Sequence, residues 1–176
     1  MDRRVEKNVV MIGMPGSGKS SVGLKLAELL GWRLIDTDAC IVRREKRAIS
    51  DIFVEQGEAY FRKVETQVIE EAMSGSGQVV ATGGGAVLAS RNREAMLAGG
   101  YVVLLHATVE AILTRLKEDR TRPLLAGDME DRLRRMAEER KNVYAFADLT
   151  VDTAQGSPEE LAVYIENARR RALEQC

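Results

Sequence analysis

The stretch Gly13-Met14-Pro15-Gly16-Ser17-Gly18-Lys19-Ser20 constrains this chain more than any other, because it joins two segments of different periodicity. Before it, Asn8 to Gly13 is a continuous apolar run, the pattern of a strand covered on both faces in a parallel sheet. After it, Val22, Leu26, Leu29 and Leu30 recur at helical spacing from Lys19 onward, and Gly31 supplies a C-terminal stop. The turn fits G-x-x-x-x-G-K-S/T, a cradle for phosphate. Its glycines let backbone N–H groups turn inward, the helix N-terminus adds partial positive charge, Lys19 neutralises the outer phosphates and Ser20 can ligate magnesium. The bland alternative, a turn that merely joins strand to helix, is disfavoured by the full motif in this setting.

The rest of the chain repeats the alternation. Strands are expected at Arg33–Asp36, Gln78–Thr82, Tyr101–Leu105 and Leu149–Val151. Helices are expected at Asp38–Lys46, Ile49–Glu55, Glu58–Met73, around Asn92–Leu97, and at Val109–Lys117 and Asp128–Tyr144. Ser157-Pro158-Glu159-Glu160 reads as an N-cap with proline at the first position of a last helix. This order predicts an α/β fold: three layers, α/β/α, around a short, mainly five-stranded parallel sheet with right-handed crossovers. Ligands then gather at the carboxyl ends of the strands, which puts the glycine-rich turn, Asp36 and Gly83-Gly84-Gly85 on one edge.

A length of 176 residues predicts one domain spanning 1–176. With 26 basic and 27 acidic side chains, no general attraction to nucleic acid or anionic membrane is expected. Cys40 and Cys176 are too few for a disulfide framework. The charged start lacks a signal-type apolar segment and no stretch is apolar enough to span a bilayer, so the expected location is cytoplasmic.

The acceptor of the phosphate must be sought at the other strand ends. Asp36-Thr37-Asp38 offers one carboxylate for a metal and one for an attacking hydroxyl, with a helix N-cap as the lesser alternative for Asp38. Arg62 and Glu65 share a helix face, either as a fixed guanidinium for a carboxylate ligand or as an ordinary solvated pair. The triple glycine permits close approach to a ligand or simply ends a strand. Arg120 and Arg122 lie in a basic, proline-containing loop over 118–127 that reads as a lid. Most of the arginines on the following helix read as solvated charges, and His106, the sole histidine, reads as structural.

Taken together, the segments GMPGSGKSSVG at Gly13, DTD at Asp36, DIFVEQGEAYFRKVE ending at Glu65, ATGGGAV at Ala81 and RPLLAG at Arg122 resemble the shikimate kinase family over nearly the whole chain. That resemblance implies a P-loop NTPase fold of the nucleoside monophosphate kinase type, with substrate-binding helices over about 38–73 and a mobile lid. It implies transfer of a phosphoryl group from ATP, with Mg2+, to the 3-hydroxyl of shikimate, on the route to chorismate and the aromatic amino acids. By the same resemblance Lys19, Asp38 and Arg122 are catalytic. Asp38, Arg62, Gly83, Gly84, Gly85 and Arg140 bind the substrate, Gly84 donating from its backbone and Glu65 orienting Arg62. Gly16, Ser17, Gly18, Lys19, Ser20, Ser21, Arg115, Arg122 and Gly156 attend the nucleotide, and Ser20 and Asp36 the metal. Two departures stand out: no acidic residue follows the third strand's apolar run, and Gly156 stands where some relatives carry arginine. A monomer is expected. Rival readings are a gluconate or nucleoside monophosphate kinase, a regulatory nucleotide-binding module without transfer activity, and a nucleic-acid-binding ATPase. The last is opposed by an aromatic content of 5%.

Overall fold

Strand β1 (Asn8–Ile12) is buried at every position, and its side chains divide between two cores by simple alternation. Val9 and Met11 enter one apolar cluster, Val10 and Ile12 the other. A strand of this kind must lie inside a sheet covered on both faces. The computed structural model describes residues 4–118 and 126–175, with the backbone alone at 126 and 127.

In chain order the elements are α1 (Arg4–Lys7), β1, α2 (Lys19–Leu30), β2 (Arg33–Asp36), α3 (Thr37–Glu45), α4 (Ile49–Gln56), α5 (Glu58–Ser74), β3 (Gln78–Ala81), α6 (Ser90–Gly99), β4 (Tyr101–His106), α7 (Val109–Glu118), α8 (Ala126–Arg140), β5 (Leu149–Asp152) and α9 (Pro158–Glu174). Short 3-10 turns occupy Ala86–Leu88, Val143–Phe146 and Thr153–Gln155. All pairings are parallel and the sheet order is β2-β3-β1-β4-β5. Helices α2 and α9 cover one face through Leu26, Leu161 and Ile165; α5 and α6 cover the other through Ile69 and Met96. The chain thus forms the three-layer, five-stranded parallel α/β architecture expected from the alternation.

A third cluster, Ile41, Ile52, Phe61, Val64 and Val68, belongs to α3, α4 and the N-terminal two-thirds of α5 and contains no strand residue. Lys46, in the left-handed region at φ 53°, ends α3, and Gly57, at φ 84°, separates α4 from α5. The helical bracket therefore stands beside the sheet on its own packing.

Some boundaries differ from expectation. Helix α8 ends at Arg140 and does not run to Tyr144, because Val143–Phe146 tightens into a 3-10 turn that seats Tyr144 in the sheet-face core. The expected loop over 118–127 is shorter at both ends, since Glu118 closes α7 and Ala126 opens α8. Arg120 and Arg122, with most of the expected lid, lie outside the described residues. The reading of Ser157 holds in full: its hydroxyl accepts from Glu160 N–H while the Glu160 carboxylate accepts from Ser157 N–H, with Pro158 following. Among the described residues, no helix is long and apolar enough to cross a membrane.

Candidate active site

A cleft of about 580 Å³ opens at the carboxyl ends of β1, β2 and β3. Its lining joins Gly16, Gly18, Lys19, Ser20 and Ser21 of the phosphate loop to Asp36 and Asp38 of the β2–α3 junction and to Gly83 and Gly84 after β3. Central β1 delivers the loop, and its neighbour β3 and edge strand β2 deliver the rest, so sheet order alone brings distant segments together.

Gly16 and Gly18 adopt φ of 76° and 98°, conformations that a side chain would strain, and α2 then begins with no side chain capping its N-terminus. The first N–H groups of α2 are thereby left for an anion. Lys19 is buried, its Nζ donating to the carbonyls of Gly13 and Met14 at 2.8 and 2.9 Å. Burial lowers its pKa to about 8, against the attraction of Asp38, with Arg140 adding to the lowering and Asp36 opposing it. Ser17 is fully buried and its N–H bonds to the Met14 carbonyl, so it serves the loop's shape and does not line the cleft.

The two aspartates have separate settings. Asp36 Oδ1 accepts from the Ala39 N–H and is the N-cap of α3, so Asp36, not Asp38, takes the capping role that the sequence left open for Asp38. The second oxygen of Asp36 lies 3.4 Å from Ser20 Oγ. Asp38, freed from capping, lies in the first turn of α3 and faces the cleft. Its pKa is raised, first by burial and then by the Asp36 carboxylate, while Lys19 and Arg62 pull it back. A carboxylate held above its usual range is closer to the strength a proton acceptor needs.

Arg62 is not a solvated surface charge. It donates at 2.8 Å to Glu65, whose side chain is only 1% exposed, lies 3.5 Å from Glu58 and stacks over the Phe61 ring at 5.2 Å. Glu65 has a raised pKa, mainly from burial, countered by its hydrogen bond to Arg62. Arg140, at the end of α8, is also buried and donates to the Gly84 carbonyl at 2.8 Å.

The triple glycine is explained by close approach, not by backbone conformation. A Cβ on Gly83 would stand 2.6 Å from Asp38 Oδ1, one on Gly84 2.7 Å from the Pro15 ring, and one on Gly85 2.5 Å from an Arg62 nitrogen. Three successive residues thus each touch a different part of the site: the acidic side chain, the phosphate loop and the guanidinium. The position that follows the third strand holds Thr82, whose hydroxyl donates to the Met11 carbonyl at 2.9 Å and so ties β3 to β1.

Arg115 spans the nucleotide side, donating to the Gly16 carbonyl at 3.2 Å and to Thr153 Oγ1 at 3.0 Å. Gly156 is off the cleft lining; a Cβ there would stand 2.8 Å from the Glu160 oxygen that completes the α9 capping box. Gly85 of the glycine loop, and Arg62 and Arg140 beside that loop, likewise do not line this cleft. His106 is exposed at the end of β4, opposite Asp152 in the ladder.

The arrangement has close counterparts. The family model described as shikimate kinase matches residues 15–169. The chain belongs to the shikimate kinase family. A shikimate kinase of Geobacter sulfurreducens is 48% identical over 160 residues, covering 90% of this chain and 88% of the relative. The solved shikimate kinase of Acinetobacter baumannii, in complex with shikimate, superposes with a TM-score of 0.86 at 38% identity and 96% coverage of both chains. A gluconokinase from Sinorhizobium meliloti, with a TM-score of 0.65 at 22% identity over 98% of this chain and 97% of that one, shares the fold alone. As a shikimate kinase family member this chain is an ATP-dependent phosphotransferase.

Sequence reasoning did not single out Thr37 or the apolar cleft wall of Ala39, Val42 and Leu116. The wall gave no signal because small and branched residues on a helix read as core. Thr37 was hidden between two more conspicuous carboxylates.

Proposed function

We propose that this chain catalyses transfer of the γ-phosphoryl group of ATP to the 3-hydroxyl of shikimate, acting as a cytoplasmic monomer with the whole of 1–176 as one catalytic domain. The observation that carries the acceptor side is the convergence of Asp38, Arg62 and Arg140 on one glycine loop beside the phosphate cradle. Arg62 and Arg140 supply a fixed double positive charge for the substrate carboxylate, and Asp38 lies where a ring hydroxyl would meet the phosphate.

Asp38 accepts the proton of the 3-hydroxyl as its oxygen forms a bond to the γ-phosphorus, the bridging bond to the β-phosphate breaks, and ADP leaves carrying the displaced charge. Lys19 neutralises charge on the phosphoryl oxygens, and in doing so regains the proton affinity that burial took from it. Arg122 is proposed to add a further positive charge from the lid. Gly16, Gly18, Ser20 and Ser21 present backbone N–H groups to the phosphates, and Arg115 borders the base, with backbone contact at Gly156.

Ser20 Oγ and Asp36 Oδ2, 3.4 Å apart, are hard oxygen donors at one corner of the cleft, and Thr82 is already engaged with Met11. Among the described residues no cluster of three or more His, Cys, Asp or Glu forms a metal cage. This donor set suits Mg2+ that arrives with the nucleotide, which Ser20 and Asp36 would hold. Such an ion would offset phosphate charge.

The test is ADP release with magnesium and ATP, comparing shikimate, quinate, gluconate, CMP and no acceptor. Turnover restricted to shikimate is expected; turnover with another acceptor instead would overturn the substrate, and no turnover with ATP bound would favour the regulatory reading.

A further inference from the structure

Thr37 lies between the metal-side Asp36 and the acceptor-side Asp38, yet it is 0% exposed and does not line the cleft. Its Oγ1 accepts a hydrogen bond of 3.1 Å from the Gly83 N–H. That bond runs between the ends of adjacent strands, where Asp36 pairs with Ala81. Gly83 in turn packs so closely on Asp38 that a Cβ would stand 2.6 Å from the carboxylate. One residue earlier, Thr82 fixes β3 to β1 through both its N–H and its hydroxyl, at 3.1 and 2.9 Å from the Met11 carbonyl. A short series of buried bonds therefore leads from β1, which carries the phosphate loop, through Thr82 and Gly83 to Thr37 and the turn that holds Asp38.

We infer that Thr37 is a positioning residue for phosphoryl transfer: its hydroxyl, through Gly83, sets the separation between Asp38 and the phosphate loop. The inference rests on the reading of Asp38 as the group that meets the acceptor hydroxyl. Transfer depends on in-line placement of the attacking oxygen, so a small shift of Asp38 acts on the rate more than on nucleotide binding. An apolar residue of the same shape at 37 would leave the buried Gly83 N–H without its acceptor and let the glycine loop move away from α3.

Two isosteric comparisons isolate the hydroxyl: Thr37→Val against the unaltered protein, and Thr37→Ala against Thr37→Ser. Both are read as kcat and as KM for each substrate with magnesium-ATP and shikimate, alongside thermal unfolding. Loss of the hydroxyl is expected to lower kcat by about 10- to 100-fold in each pair, the scale of a small misplacement of reacting groups. KM for ATP is expected to stay within about twofold, and Thr37→Ser to retain most of the rate. If Thr37→Val does not fold, the Ala and Ser pair decides. Equal kcat within either folded pair, or a fall explained by lost ATP binding, overturns the inference. Absence of shikimate turnover in the unaltered protein instead overturns the function on which it rests.

Discussion

Gly85→Ala separates function from stability. Gly85 has φ −94° and ψ −1°, a conformation alanine adopts without strain, so the backbone tolerates the change. The new methyl would instead meet the Arg62 guanidinium at 2.5, 2.7 and 2.9 Å from its two terminal nitrogens and central carbon. Arg62 is the end of a flexible side chain and can swing aside, whereas its aim depends on the 2.8 Å bond to Glu65. Glu65, whose pKa burial already raises, then loses the hydrogen bond that opposes that rise, which shifts its carboxyl further toward the neutral form. Losing one charged hydrogen bond to the acceptor carboxylate costs about 1.5–3 kcal/mol, which is about 10- to 150-fold in the KM for shikimate. Steady-state kinetics varying shikimate at saturating ATP measure this, with KM for ATP and the melting temperature as controls. An unchanged KM for shikimate in a folded Gly85→Ala protein would refute the placement of Arg62 against this loop.

Lys19, with a pKa of about 8, is largely charged at pH 7 and mostly neutral at pH 8.5. ATP restores the charge, so calorimetry in buffers of different ionisation enthalpy should detect uptake of about three-quarters of a proton at pH 8.5 against about a tenth at pH 7, with affinity falling as pH rises. Asp38→Asn should lower kcat by about 10²- to 10⁴-fold, the range for removal of a general base. Because the fold raises the pKa of Asp38, its ionised form is disfavoured relative to the unfolded chain at neutral pH, so the same variant should melt higher. In the unaltered enzyme kcat should fall toward acid with a midpoint above the ordinary aspartate range. Arg169, 9% exposed, pairs with Glu166, which Arg170 also holds, and lies 5.1 Å over Trp32; Arg169→Ala should cost about 1–3 kcal/mol and lower the melting temperature, leaving kcat unchanged and altering tryptophan emission.

The sheet was legible because its signals are local: a fully apolar β1, a glycine loop and helical spacing need no partner to be read. The phosphate cradle is legible for the same reason. What surrounds the acceptor was only half legible. Arg62 and Glu65 at a spacing of three could as well have been a surface pair, and only burial of Glu65 to 1% decides otherwise. Whether Asp38 was only a helix cap stayed open in the sequence, and the structure gives that cap to Asp36. The three glycines could be noticed as a run, but the separate neighbour of each depends on segments brought in from Pro15, Asp38 and Arg62. Thr37 carries no sequence signal because its partner is a backbone N–H far along the chain.

The small helical core of Ile41, Ile52, Phe61, Val64 and Val68 has a consequence for how such a chain can diverge. Helix α5 is shared, its C-terminal end committed to the sheet through Ile69 and Met73, while the stretch up to Val68 belongs to the bracket. Changes in packing among α3, α4 and that stretch need not disturb the strands, because no strand contributes a residue to this cluster. The bracket can therefore repack as a unit while the sheet that carries the phosphate loop keeps its own core.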